Sequence, residues 1–256
     1  DPRDRFPWAR SVIAFTVPYD PDRPEDESIA SHIARYAQGD DYHLVLDAML
    51  RRLEIELRER DGSIETRRYV DTGPLSDRSH ATQAGLGWIG KNGMLIDENH
   101  GSYTLIGLLL TSCVNDLATE PVTDRCGTCT RCIDACPTEA ILPDRTIDSN
   151  RCISYLTIEH RGEIPLDYRD SLEDNLFGCD ICQEVCPWNR KAPEGHPDLA
   201  TRAEYRDRPI HSMLSLGQEE FSNLFRKSAV KRAKVAGILR NASLITGATA
   251  ELDSEA

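Results

Sequence analysis

Eight of the nine cysteines lie between residues 126 and 186, in the arrangement CGTCTRCIDACP, a lone Cys152, then CDICQEVCP. The first run, Cys126, Cys129, Cys132 and Cys136 followed by Pro137, has the C-x-x-C-x-x-C-x-x-x-C-P spacing of bacterial two-cluster ferredoxins. There the fourth cysteine ligates the other cluster. The second run is one member short: its first place falls on Leu176, leaving Cys179, Cys182 and Cys186. Cys152 restores the count, because each [4Fe-4S] cube takes four thiolates. The expected sets are therefore Cys126, Cys129, Cys132 and Cys186 on one cluster, and Cys136, Cys152, Cys179 and Cys182 on the other. Zinc is the main rival, since C-x-x-C pairs also bind it, but it gives no reason for both runs to close on Cys-Pro. Disulfides fit a secreted framework rather than these spacings. Cys113 is left over and reads as a buried free thiol beside an apolar strand.

Other motifs carry less chemistry. Gly85-Leu86-Gly87-Trp88-Ile89-Gly90 has the letters of a dinucleotide fingerprint, yet a polar, helical segment precedes it where a strand is required. A tight glycine turn is the better reading. Gly90-Lys91 lacks the spacing and hydroxyl residue of a P-loop. The histidines at 32, 43, 80, 100, 160, 196 and 211 form no metal-ligating pair and read as surface or hydrogen-bonded core residues. Asp71 stands out by position alone, just past a strand and before Thr72, Gly73 and Pro74, where a turn residue is also the ordinary explanation.

The elements around these residues follow from periodicity. Residues 11–17 read as a buried strand, and residues 41–60 as an amphipathic helix with Leu46, Met49, Leu50, Leu53 and Leu57 on one face. Residues 65–70 form a strand that delivers Asp71 at its carboxyl end, where ligands of open α/β sheets gather. After a short helix, residues 103–111 form another strand. The polar stretch 115–124 marks a boundary, so three units are expected: an α/β domain at 1–118, a ferredoxin-like two-cluster module at 119–190, and a helical segment at 191–256. The formal charge of −13 argues against indiscriminate nucleic-acid binding. Residues 226–240 are the local exception, with six Lys or Arg and no acid, and read as a solvated helix face or a phosphate site. The longest apolar run, 105–110, is far below the roughly 20 residues of a membrane span. A reducing cytoplasm and a monomer are expected, and the abrupt start before a strand reads as a chain lacking an upstream segment.

Taken together, VDTGPLSDR, QAGLGWIGKN, CGTCTRCIDACP, RCISYLTIEHRG and FGCDICQEVCPWN resemble the epoxyqueuosine reductases, cobalamin-dependent enzymes of queuosine synthesis in tRNA. The resemblance covers roughly residues 10 to 245. It implies a cobalamin-binding α/β domain, two [4Fe-4S] clusters and C-terminal HEAT-like helical repeats, truncated here. It also implies tRNA of the Asn, Asp, His and Tyr class as substrate, and an external electron donor. Carried over by position, Asp71 is the proton donor, with burial against the corrin expected to raise its pKa. Leu95, Ile106 and Leu109 are implied to pack on the corrin, Ser154 and Asp180 to hydrogen-bond it, and Arg35 to touch its side chains. Arg161 falls where the family meets tRNA, and Lys231 and Arg232 of the basic stretch are expected beside it. A reductive dehalogenase on a similar frame and a plain two-cluster electron carrier are the alternatives.

Overall fold

A computed structural model describes residues 2–19, 24, 27–114 and 119–248. The elements run α1 (Pro2–Arg5), β1 (Ser11–Pro18), α2 (Tyr42–Arg60), β2 (Thr66–Tyr69), α3 (Asp77–Gln83), β3 (Trp88–Ile89), β4 (Leu95–Ile96) and β5 (Thr104–Thr111). Then come α4 (Arg131–Asp134), α5 (Ile153–Ile158), α6 (Leu166–Arg169), α7 (Ile181–Glu184), α8 (Ala203–Arg206), α9 (Gln218–Leu224) and α10 (Lys234–Thr246). Short 3-10 turns join many of them, including one at Ala229–Ala233.

The three long strands form one sheet in the order β1-β5-β2, antiparallel throughout. The mixed α and β content agrees with expectation, but the parallel-sheet rule used to single out Asp71 does not apply. Its position has another cause. Thr104 pairs with Pro18, and Tyr69 with Leu108, so the carboxyl ends of β1 and β2 and the start of β5 share one edge, and Asp71 leaves the sheet there.

Strand parity divides the apolar residues of β5 between two cores. Leu105 and Leu109 face α2, where Leu46 and Leu50 are wholly buried against Val17, Ile13 and Phe15. Burial of each such leucine contributes about 1.5–3 kcal/mol. Ile106, Leu108 and Leu110 face the other way, onto Phe6, Trp8, Val12 and Leu75. The Asp41 side chain caps α2 by accepting from His43 N.

The segment at 85–90 is the exit of α3 followed by the β3-β4 hairpin, not the entry to a helix, so a dinucleotide site is absent from it. Gly87 is required there because a Cβ would sit 2.2 Å from the Ile96 carbonyl oxygen. Residues 115–118 of the expected boundary stretch lie outside the described residues.

The C-terminal segment does not pack as a separate stack. Tyr205, Met213, Phe221, Phe225, Val230, Ile238 and Ala242 share one core with Ile29, Ile33, Ala37, Ile158 and Phe177, drawn from the other two units. Among the described residues no helix is long and apolar enough to cross a membrane. Cys113 is a half-buried free thiol at the end of β5, held through its backbone by Thr111 and Ser11.

Candidate functional site

A cavity of about 880 Å³ opens between the sheet edge and the cysteine-rich segments. One wall is Tyr42, His43, Asp71, Asn92 and Met94, and the other is Cys136, Cys152, Cys179 and Cys182 with Ser154 and Tyr155. All four cysteines assigned to the second cluster reach this cavity, and none of Cys126, Cys129, Cys132 and Cys186 does.

The two sets also separate electrostatically. Cys132 feels Cys186 and Cys126, and Cys186 feels Cys126 and Cys129. Cys179 feels Cys152 and Cys136, and Cys182 feels Cys179 and Cys152. Cys182 also feels Cys132 across the divide, which places the two groups side by side. Among the described residues no three side chains converge on a single-ion site. A zinc tetrahedron with Zn–S near 2.3 Å needs such convergence; a cube, with its four ligands spread over four corners, does not. Burial pushes the Cys179 thiol up to about 12 and that of Cys182 well above its ordinary range. These groups therefore stay protonated until a cationic metal centre offsets the cost of the thiolates.

Local structure fixes Cys152 and Cys179. Cys152 is the N-cap of α5, and Cys179 follows Gly178, whose φ of +76° and 2.5 Å approach of a built Cβ to Ala34 Cβ leave room for no other residue. The Gly178 N–H donates to Thr157 Oγ1 at 3.0 Å. From α10, the buried Asn241 amide donates to Thr157 O at 2.9 Å and Leu176 O at 2.8 Å. Arg240 donates to His160 O, Gly162 O and Leu156 O at 2.7–2.9 Å. Burial lowers the Arg240 pKa, yet these acceptors hold it in place. The C-terminal helix thus clamps the segments that carry Cys152 and Cys179. Arg240, read from sequence as part of a solvated basic face, is turned inward.

Opposite the cysteines, Asp71 adopts a left-handed backbone, φ +54°, and its N–H donates to Asp77 Oδ2 at 2.8 Å. Its carboxylate is 66% exposed and lies 3.6 Å from His43 Nε2. The other imidazole nitrogen is 2.7 Å from Asp41 Oδ1. Asp41 first and Asp71 second push the His43 pKa up to about 9. In return His43 holds Asp71 below its ordinary range. The rise expected from burial against a corrin is a separate effect; among the chain's own groups the adjacent imidazolium outweighs burial at Asp71.

Not every expected contact reaches the cavity. Leu109 and Ile106 lie on opposite faces of β5 within the two cores, and Leu95 is buried in β4, so none of the three lines it. Arg35 and Asp180 sit behind the wall: Arg35 N donates to Asp180 Oδ2 at 2.7 Å, and the guanidinium reaches Tyr103 and Glu184. Ser154 does line it. Lys231 and Arg232 stand at its rim, where the Arg232 Nε–H is shared between both carboxylate oxygens of Glu159, while Arg161 donates to Ile158 O and Arg232 O. Sequence reasoning passed over His43, Tyr42 and Asn92. The available signal was Asp41 immediately before Tyr42-His43 at a helix start, where the capping carboxylate also orients the imidazole.

The fold and paired cysteine sets define a double-cluster iron–sulfur protein. A family model described as a 4Fe-4S double cluster binding domain matches residues 125–189, and a second, "Epoxyqueuosine reductase QueG, DUF1730", matches residues 1–72. An epoxyqueuosine reductase of Cellulophaga algicola is 41% identical over 251 residues, covering 94% of this chain and 78% of the relative. The chain belongs to the epoxyqueuosine reductase family. Among solved structures, an epoxyqueuosine reductase with a tRNA-Tyr epoxyqueuosine-modified stem loop superposes with TM-score 0.86 at 34% identity, covering 95% of this chain. The Bacillus subtilis epoxyqueuosine reductase with its catalytic loop swung out of the active site gives 0.85 at 33%, again over 95% of this chain. The chain spans 66% of the length of each of these solved chains.

Proposed function

We propose that this chain reduces epoxyqueuosine to queuosine at the wobble position of a tRNA anticodon. The observation that carries the reading is one cavity with Asp71 and His43 on one wall and Cys136, Cys152, Cys179 and Cys182 on the other. Converting an epoxide to an alkene consumes two electrons and two protons and releases water. The cysteine wall is suited to delivering electrons one at a time, and the Asp71 wall to delivering protons.

Cobalamin fits the cavity as the group between them, because the space has apolar lining from Met94, Ile141, Ile153 and Tyr155, and unspent polar groups. The buried Asn92 Nδ2 has no partner among the described residues, and Ser154 lines the opposite side. These two residues and the backbone beside them would hold it. When bound, it would supply a low-valent metal able to pass electrons to carbon in pairs.

The chain's own residues then manage the proton. His43, charged near neutrality and fixed by Asp41, faces the Asp71 carboxylate. Asp71 relays the His43 proton to the departing oxygen, and solvent returns a proton to the imidazole and supplies the second one that leaves with the water. The relative with its catalytic loop swung out supports a mobile role for such a loop. At the rim, Lys231 and Arg232 offer cationic contacts to a nucleic-acid backbone. The deciding experiment is anaerobic turnover of an epoxyqueuosine-bearing stem loop by reconstituted protein with cobalamin and a chemical reductant. Absence of queuosine at full cluster and cobalamin occupancy overturns the reading.

A further inference from the structure

Lys91, in the turn of the β3-β4 hairpin, extends its Nζ to the carbonyl oxygens of Gly127 and Cys129, each at 2.8 Å. Both belong to the loop that carries Cys126 and Cys129. The same hairpin buries Trp88 against Cys186, with Cys126 and Trp188 beside it. One element of the α/β part thus grips the first cysteine set twice, once through an apolar ring and once through an ammonium group.

Charged groups of the neighbouring loop are paired with one another rather than with that ammonium. Asp124 accepts from Cys126 N at 2.8 Å but is paired with Arg145 at 2.6 Å, and Arg125 is paired with Glu98. Among the described residues no carboxylate forms an ion pair with Lys91. Beside the second set, by contrast, the fixed charge is a carboxylate: Asp180, buried and held by Arg35 N at 2.7 Å and Gln183 Nε2 at 3.1 Å, stands between Cys179 and Cys182 in the chain.

We infer that Lys91 is a positioning residue that raises the reduction potential of the cluster on Cys126, Cys129, Cys132 and Cys186 above that of the cluster facing the cavity. The inference rests on the two-cluster assignment. A fixed cation favours the reduced, more negative state of a nearby cluster, and it acts strongly where water is displaced. Electrons entering the protein would collect at the cluster beside Lys91, while the one at the cavity, beside Asp180, remains the stronger reductant.

The test is EPR-monitored redox titration of the reconstituted protein, with iron counted on the same samples. Lys91→Gln keeps an amide donor for the carbonyls and removes the charge. Its one-electron reduction equilibrium at one cluster should fall about tenfold, a shift of about 59 mV to more negative potential, with the other cluster unmoved. Lys91→Arg should stay near the wild-type value. Cys152→Ala, retaining one cluster, identifies which signal belongs to which set. Full iron with unchanged potentials in Lys91→Gln overturns the inference, as does loss of a cluster in that variant, which would make Lys91 a strut. Failure of the assignment itself has a different sign: all eight irons retained in Cys152→Ala.

Discussion

Replacing His43 with Gln removes the cation between Asp41 and Asp71, and the cost should depend on pH in a defined direction. The folded imidazole titrates at about 9 against 6.5 for the unfolded reference. At about 1.36 kcal/mol per unit, that difference corresponds to roughly 3 kcal/mol before screening. The His43 side chain is 33% exposed and Asp71 is 66% exposed, so water reduces the figure to about 1–2 kcal/mol. Because the folded pKa is the higher one, this stabilisation is fully present below pH 6.5, provided the two carboxylates are ionised. It is lost as pH rises through about 9. Urea unfolding followed by circular dichroism, on anaerobic reconstituted protein at pH 6, 7.5 and 10, gives the wild-type advantage over His43→Gln at each pH. That advantage should shrink by about 1–2 kcal/mol from pH 6 to pH 10. A difference flat across this range would refute the charged-imidazole reading, whatever its size. Asp71→Asn should leave most of the effect, since the pull of Asp41 on His43 is the larger.

Four other substitutions have defined outcomes. Cys152→Ala should lose four of eight irons, by colorimetric assay, because it closes only the set at the cavity. Asp71→Asn should retain both clusters and bound cobalamin while turnover falls about 10²- to 10⁴-fold, the range for a positioned general acid; near-normal turnover at full occupancy removes Asp71 from proton delivery. Asn241→Ala leaves the carbonyls of Thr157 and Leu176 buried without their donor and should cost about 2–4 kcal/mol in urea unfolding. Lys231→Glu should weaken stem-loop binding and reduce the log–log salt slope by about 0.7–0.9, the share of one neutralised phosphate; an unchanged slope makes Lys231 a solvated rim residue.

The double-cluster segment was legible in the sequence because the chemistry of a cube fixes both ligand count and spacing, and local turns preserve that spacing. The three long strands and α2 were legible from periodicity, each to within a residue or two. What could not be read locally was which long-range neighbour each polar residue would meet. His43 looked ordinary because Asp71, 28 positions later, reaches it only when the end of β2 comes up beside α2. Arg240 belonged to a basic run, and only the fold shows three carbonyls from the Leu156–Gly162 segment converging on it. Ile106 and Leu109 share one strand, but the alternation of side chains sends them into different cores, away from the cavity.

The cavity wall formed by Cys136, Cys152, Cys179 and Cys182 also imposes an order of manufacture. Iron and sulfide that reach these thiols from the cavity side must arrive before anything bulky occupies it, since an occupant seated against Ser154 and Tyr155 would bar that entrance. With cobalamin as the proposed occupant, maturation would proceed inside out, the inorganic centre first and the organic passenger second. A preparation supplied with the passenger too early would carry a permanent deficit of iron on one side only.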